Sequence, residues 1–267
     1  MIKAIAVDKD GTFLRSDHTF DEAHFEKIFN ELMAKNLKFI VASGNQYAQL
    51  RSIFSGKEEA ITYVAENGAV TYFNDEIIAS HYFERELILD LLHTIIHDYK
   101  VNDIVLSGIK SAYINQDSSE EFIEFIKHYY YDIEKVADLK QVGNDYFVKV
   151  ALRIKDEFKV KEVIAGLEET FAGEVRAVTS GNDSVDLILP EVNKGVAIQT
   201  LLTQWGLKNN ELLAFGDANN DLEMLALTEH SYAMEHCSSE LAKVAKYRAP
   251  SNDESGVLQV IETYLKR

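Results

Sequence analysis

Short apolar runs and amphipathic stretches alternate along this chain in a rhythm that changes twice. Residues 2–7 form an apolar, β-branched run ending at Asp8, the pattern of a buried strand. Phe25, Ile28, Phe29 and Leu32 recur at helical spacing and predict an amphipathic helix over 21–35. A second buried strand is expected over 37–42, a helix over 46–54 and a third strand over 61–65. Asn67-Gly68 is a turn signal, and the alternation across 69–80 predicts a hairpin. The first 80 residues therefore read β-α-β-α-β and then a hairpin, an order that favours a parallel sheet with helices on both faces.

The middle of the chain has a different rhythm. A helix is expected over 84–99, short strands over 104–106 and 112–115, and a helix capped by Ser118-Ser119-Glu120-Glu121 and reaching about residue 131. Residues 146–154 predict a strong strand, 156–171 a helix, and 175–179 and 185–189 two more strands. Hairpins as well as helices separate these strands, which predicts an α+β unit with an antiparallel sheet. From residue 193 the parallel rhythm returns: a helix to about 205, an apolar strand over 212–215, a helix over 221–227, a short strand over 231–233, and helices over 239–245 and 256–265. The expected fold class is α/β, a Rossmann-like parallel-sheet core built from residues 1–81 and 188–267 with an inserted α+β cap domain over 82–187.

Length agrees with this division, because 267 residues suit two domains of ordinary size. The 44 acidic and 27 basic residues give a net charge of -17. Such a field repels nucleic acids and anionic membrane surfaces, so neither is an expected partner. It repels phosphorylated metabolites too, unless a metal and a few fixed cations reverse it locally. Cys237 is the sole cysteine, so no intrachain disulfide can form, and a free thiol in a reducing cytoplasm is expected. The N-terminal apolar run is too short for a signal peptide, and no stretch approaches the roughly 20 apolar residues that span a bilayer. The sequence is silent on oligomeric state.

Ligands of parallel sheets bind at the carboxyl ends of the strands, and several predicted strand or helix boundaries carry pertinent chemistry. These are Asp8-Lys9-Asp10-Gly11-Thr12, Ser43-Gly44-Asn45, Lys194, and Gly216-Asp217-Ala218-Asn219-Asn220-Asp221. Phosphoryl transfer needs a nucleophile inside a cationic cage, and a carboxylate can become an acyl phosphate. Magnesium suits such a cage because it takes hard oxygen ligands from carboxylate and phosphate together. Asp8 and Asp217 would place two carboxylates around one metal. Asp10, two residues after Asp8 on an extended segment, could protonate the leaving oxygen and then deprotonate water. Ser43 and the backbone N–H groups at a helix start could hold phosphate oxygens, and Lys194 could neutralise charge on Asp8 and the phosphate.

Together these segments resemble the four motifs of the haloacid-dehalogenase-like hydrolases, in the same order and with agreeing spacing. Asp8-Lys9-Asp10-Gly11-Thr12 resembles their DxDGT motif. The long insertion resembles the type-2 cap of the Cof-type subfamily, and residues 41–47 and 64–69 look closest to its bacterial sugar-phosphatase (SupH-like) branch. The resemblance implies a magnesium-dependent phosphatase acting on a small phosphorylated metabolite, most simply a sugar phosphate. It implies Asp8 as nucleophile and metal ligand, Asp10 as acid/base and, through its carbonyl, second ligand, and Asp217 as third ligand. Ser43, Gly44, Lys194 and Asn220 fall on phosphate-binding positions. Asp221 falls on an acidic position that supports the metal's waters or Lys194, and Thr12 completes the first motif in a supporting place. Lys9 and Asn45 depart from the family pattern, which more often has an apolar residue and an Arg there.

Other readings are distinguishable. In isolation Asp8 and Asp10 would be turn or capping residues. An EF-hand fails because its twelfth position would be Thr19 rather than Glu. His93 and His97 lack the Glu of a zinc-protease helix and read as exposed. A signalling receiver also phosphorylates an Asp beside magnesium, but it is shorter and has no counterpart of Asp10. A phosphomutase of the same superfamily would isomerise its substrate without net release. The segment Ser180-Gly181-Asn182-Asp183 reads either as a simple hairpin turn or as a loop that contacts the leaving group.

Overall fold

The computed structural model describes residues 1–179 and 183–266. The chain begins as the sequence pattern predicts: β1 (Ala4–Asp8), α1 (Glu22–Ala34), β2 (Lys38–Ala42), α2 (Tyr47–Ile53), β3 (Ile61–Ala65), and the hairpin β4 (Val70–Phe73) and β5 (Glu76–Ser80). The middle holds α3 (Arg85–His97), β6 (Ile104–Gly108), β7 (Ala112–Asn115), α4 (Glu120–Ile126), β8 (Ile133–Val136), β9 (Phe147–Arg153), α5 (Glu157–Thr170), β10 (Arg176–Thr179) and β11 (Ser184–Ile188). The last part holds α6 (Lys194–Gln204), β12 (Leu212–Gly216), α7 (Leu222–Ala226), β13 (His230–Ala233), α8 (Leu241–Val244), β14 (Tyr247–Arg248) and α9 (Gly256–Leu265). Among the described residues no helix is long and apolar enough to cross a membrane.

Two sheets result. One has eight strands in the order β14-β13-β12-β1-β2-β3-β4-β5, parallel from β14 to β3 and antiparallel through the β4–β5 hairpin. The other has six strands, β10-β11-β9-β6-β7-β8, antiparallel except for the β7–β8 pair. The first sheet is assembled from both ends of the chain and the second from its middle.

One predicted detail fails, and two strands go unannounced. The helix expected to reach residue 131 stops at Ile126, although Ser119 caps its start by accepting from the Phe122 amide at 3.2 Å. The Gln46 side chain accepts the amides of Tyr131 and Asp132, each at 2.9 Å, and donates to the Asp132 carbonyl at 3.1 Å. Tertiary hydrogen bonds thus take the backbone that a longer helix would need, and β8 follows, a strand the sequence pattern did not announce. The two-residue β14 also escaped, being too short to show a period.

An aromatic cluster under the loop after β1 fixes where that loop lies. Phe13 packs with Phe20, Phe25, Phe39 and Phe54. Phe25, 1% exposed, has ring centroids of Phe13, Phe20, Phe29, Phe39 and Phe54 at 5.2 to 5.7 Å. Truncating such a ring leaves a cavity that rigid neighbours cannot fill. Phe25→Ala is expected to lose about 3–5 kcal/mol of unfolding free energy in urea titrations; a loss under about 1 kcal/mol would contradict this packing.

Candidate active site

Register places the chemistry on one rim. In the parallel sheet Asp8 lies level with Ala42, and Val7 with Phe215. The residues just beyond these strand ends, Ser43 and Asp217, therefore emerge beside Asp8. Asp8, Asp10, Ser43, Gly44, Asp217 and Asn220 all line one cavity of ≈ 480 Å³ between the two sheets. Lys194 and Asp221 sit behind it, both fully buried.

Lys194 is the hinge of the arrangement. Its ammonium donates to Asp8 Oδ1 at 2.6 Å and to Asp221 Oδ1 at 2.7 Å. Asn193 caps α6 by accepting from the Val196 amide at 2.8 Å, which sets Lys194 at the first helical position. A cation there opposes the helix dipole, so its two carboxylate partners, not the helix, account for it. Burial disfavours the ammonium, but Asp221 and Asp8 outweigh burial and raise its pKa above the ordinary lysine value.

The acidic partners are held just as specifically. Asp221 Oδ2 accepts the amides of Asp217 at 3.0 Å and Ala218 at 3.2 Å, so both of its oxygens are engaged. Thr12 donates to Asp217 Oδ1 at 3.0 Å. Gly11 has φ +71, and a Cβ there would meet Asp217 Oδ2 at 2.5 Å, so both backbone conformation and space demand glycine. Asp10 is more open. It pairs with the buried Lys9 ammonium at 2.7 Å, accepts from Asn45 Nδ2 at 3.3 Å, and lies 3.8 Å from His18 Nδ1.

Carboxylate oxygens of Asp8, Asp217 and Asp221 can come within 4.8 Å of one another, a spacing that suits a divalent cation. Both Asp221 oxygens are already committed, whereas Asp8 and Asp217 each keep an oxygen that could take a cation. Burial, then the charges of Asp8 and Asp221, push the Asp217 pKa up to about 8. Burial also raises Asp221, to about 6, against the pull of Lys194. Acids so crowded are the electrostatic signature of a site that wants positive charge.

Several contributing residues were not found from the sequence. Lys9 and Asn45 were noticed only as departures, yet both touch Asp10. Lys149 was missed altogether. A lysine inside the apolar run Phe147-Val148-Lys149-Val150 was the available signal, since such a position is buried and must be partnered. Phe122, Phe125, Ile126 and Arg153 of the far wall come from the six-stranded layer and were not identified. Ser180, Gly181 and Asn182 lie outside the described residues. Asp183 accepts from Arg153 Nε at 3.0 Å, and Arg153 and Ser184, not Asp183, line the cavity. The Gln46 amide, expected near a phosphate-binding helix start, donates instead to the Tyr129 carbonyl at 3.3 Å.

Comparison with known proteins addresses the chain as a whole. A family model described as haloacid dehalogenase-like hydrolase matches residues 5–261. The chain belongs to the haloacid dehalogenase-like hydrolases. This hydrolase is 36% identical over 268 residues to the 5-amino-6-(5-phospho-D-ribitylamino)uracil phosphatase YbjI of Escherichia coli (strain K12), covering 99% of this chain and 97% of that protein. It matches the crystal structure of SMU.1108c from Streptococcus mutans UA159 with a TM-score of 0.94 and 34% identity, over 100% of both chains. The HAD subclass IIB sugar phosphatase BT4131 shares the fold, with a TM-score of 0.82 and 20% identity over 98% of each chain. The family that four short motifs suggested is thus the family of the whole chain.

The raised acids of this hydrolase give a pH test. Between the ordinary value of 3.8 and about 8, folded Asp217 holds a proton that the unfolded chain has lost. The folded state then binds more protons, so this group's contribution to stability falls as pH rises through that window. With a chelator present, the melting temperature of the wild type is expected to fall more steeply between about pH 5 and pH 8 than that of Asp217→Asn. Equal slopes would contradict the crowding.

Proposed function

We propose that this hydrolase is a magnesium-dependent phosphatase that cleaves a small phosphomonoester, a sugar phosphate or a phosphorylated sugar alcohol, through an aspartyl phosphate on Asp8. The observation that carries the reading is the convergence of Asp8, Asp10 and Asp217 on one cavity, with Lys194 fixed 2.6 Å from Asp8.

Lys194 holds one oxygen of Asp8, which leaves the other to attack phosphorus while the phosphorus–oxygen bond to the leaving group breaks. Asp10 gives its proton to the departing oxygen and then takes one from water. That water attacks the phosphorus of the acyl phosphate, and the bond to Asp8 breaks to release inorganic phosphate and free carboxylate. Ser43, Gly44 and Asn220 cradle the phosphate oxygens. Asp8, the Asp10 carbonyl and Asp217 would hold magnesium, which supplies charge neutralisation for the phosphoryl group.

Cavity size and lining support the substrate class. A volume of ≈ 480 Å³ accommodates a metabolite rather than a macromolecule. The wall opposite Asp8 is aromatic, with Phe122, Phe125 and Tyr129 on it and the Arg153 guanidinium 4.0 Å over the Phe125 ring. Such a wall suits a leaving group with a planar ring at its far end. YbjI is named for a substrate that combines a phosphorylated ribityl chain with a uracil ring, and this relative supports extending the same class of substrate to this cavity.

Phosphate release from a panel of sugar phosphates, sugar-alcohol phosphates with and without an attached ring, and nucleotides tests this reading. Release is expected to vanish with a chelator, return with magnesium, and fall at least about 10³-fold in Asp8→Asn. Metal-independent release, or isomerisation of the substrate without release, would overturn it.

A further inference from the structure

A buried polar network joins the six-stranded layer to the proposed phosphate cradle. Lys149 on β9 donates to the Gly44 carbonyl at 2.6 Å. It forms ion pairs with Glu66 Oε2 at 2.6 Å and Asp186 Oδ2 at 3.4 Å, and its ammonium lies 5.2 Å over the Tyr130 ring. Asp186 on β11 accepts from Asn67 Nδ2 at 2.8 Å, and Asn67 Oδ1 accepts from Asn220 Nδ2 at 3.1 Å. Lys149, Glu66, Asn67 and Asp186 are each no more than 5% exposed. Glu66 and Asn67 also hold left-handed backbone, with φ 51 and φ 57, a conformation kept only where surroundings overdetermine it. Those surroundings are the cradle itself, because the Glu66 amide donates to the Asn45 carbonyl at 3.1 Å and the Asn67 amide to the Ser43 carbonyl at 3.0 Å.

The Gly44 contact has a directional consequence. In a trans peptide the carbonyl and the following N–H point in opposite directions. With the Gly44 carbonyl turned to Lys149, the Asn45 N–H is turned back, and it donates to Ser43 Oγ at 3.2 Å. The Ser43 hydroxyl, already accepting there, keeps its own hydrogen for a phosphate oxygen. Asp186 acts likewise on the other side, fixing the Asn67 amide that in turn fixes Asn220.

We propose that Lys149 and Asp186 are positioning residues, and that seating of the six-stranded layer on the parallel sheet assembles the phosphate cradle rather than merely covering it. This rests on the reading that Ser43, Gly44 and Asn220 hold phosphate. Phosphate affinity then depends on the layer that also carries the leaving-group wall.

The test uses the full chain with inorganic phosphate as competitive probe. Lys149→Met leaves Glu66 and Asp186 uncompensated and endangers folding, so the informative variant is Lys149→Met/Glu66→Gln, which removes one acid along with the cation. Its melting temperature is expected to lie above that of Lys149→Met and below that of the wild type, because Asp186 still lacks its cation, and a cooperative transition shows that it folds. Its inhibition constant for phosphate and its KM are expected to rise about 10–100-fold, as for the loss of a hydrogen bond to a charged group. That factor should be the same for substrates with different leaving groups. Unchanged phosphate inhibition in the folded double variant would show that Lys149 only neutralises buried acids. A factor that changes with the leaving group would show that it contacts that group; either result overturns the proposal. Wild-type enzyme with neither phosphate release nor phosphate inhibition would reject the cradle reading itself, whereas normal wild-type behaviour with an unaltered variant would reject only the role of Lys149.

Discussion

A single buried ammonium organises this site. Lys194 reaches from the start of α6 to Asp8 at the end of β1 and to Asp221 beyond β12, so three separate segments meet at one charge. The position is costly in isolation, since the side chain is fully buried and sits at the positive end of a helix dipole. Only the two carboxylates make it tolerable, and they in turn need it. Remove the cation and Asp8, Asp217 and Asp221 would crowd one small volume with nothing to offset them. The strand order that brings β1 between β12 and β2 is the topological reason these groups can meet at all.

The wider electrostatics follow from the same economy of charge. The chain is strongly acidic overall, yet among the described residues the buried cations, Lys9, Lys149 and Lys194, all stand at the cavity or directly behind it. Each is tied to a carboxylate, and together they meet Asp8, Asp10, Asp221, Glu66 and Asp186. The cavity therefore remains short of positive charge even with these three in place. Under the proposed function, that deficit is what a divalent cation would offset, so that phosphate could enter together with the metal. The far wall is different in kind: aromatic, with Arg153 stacked on Phe125, and in the proposed function it meets the leaving group.

Much of this was legible in the sequence because local pattern and global fold agree. Apolar runs ended at Asp8, Ala42 and Gly216, and strand ends in a parallel sheet are where chemistry gathers, so Asp8, Ser43 and Asp217 could be named without coordinates. The parts that were not legible are those that non-local contacts decide. Whether α4 ran on to residue 131 depended on Gln46, eighty-odd residues away, taking the amides of Tyr131 and Asp132. Whether Lys9 faced Asp10 depended on the tight turn at Gly11. Lys149 could be recognised only as a misfit in an apolar strand, and its partners Gly44, Glu66 and Asp186 lie on three different segments. Periodicity reports which face of an element is buried, not which charge it will meet there.

The account turns on Asp8 becoming phosphorylated during turnover. Acid quench in the steady state, borohydride reduction and peptide mass mapping read this directly, because reduction converts an aspartyl phosphate to homoserine. The account predicts homoserine at position 8 in wild-type enzyme turning over substrate with magnesium, and none in Asp8→Asn or without substrate. Turnover with no homoserine at position 8, or with homoserine at another aspartate, would contradict it.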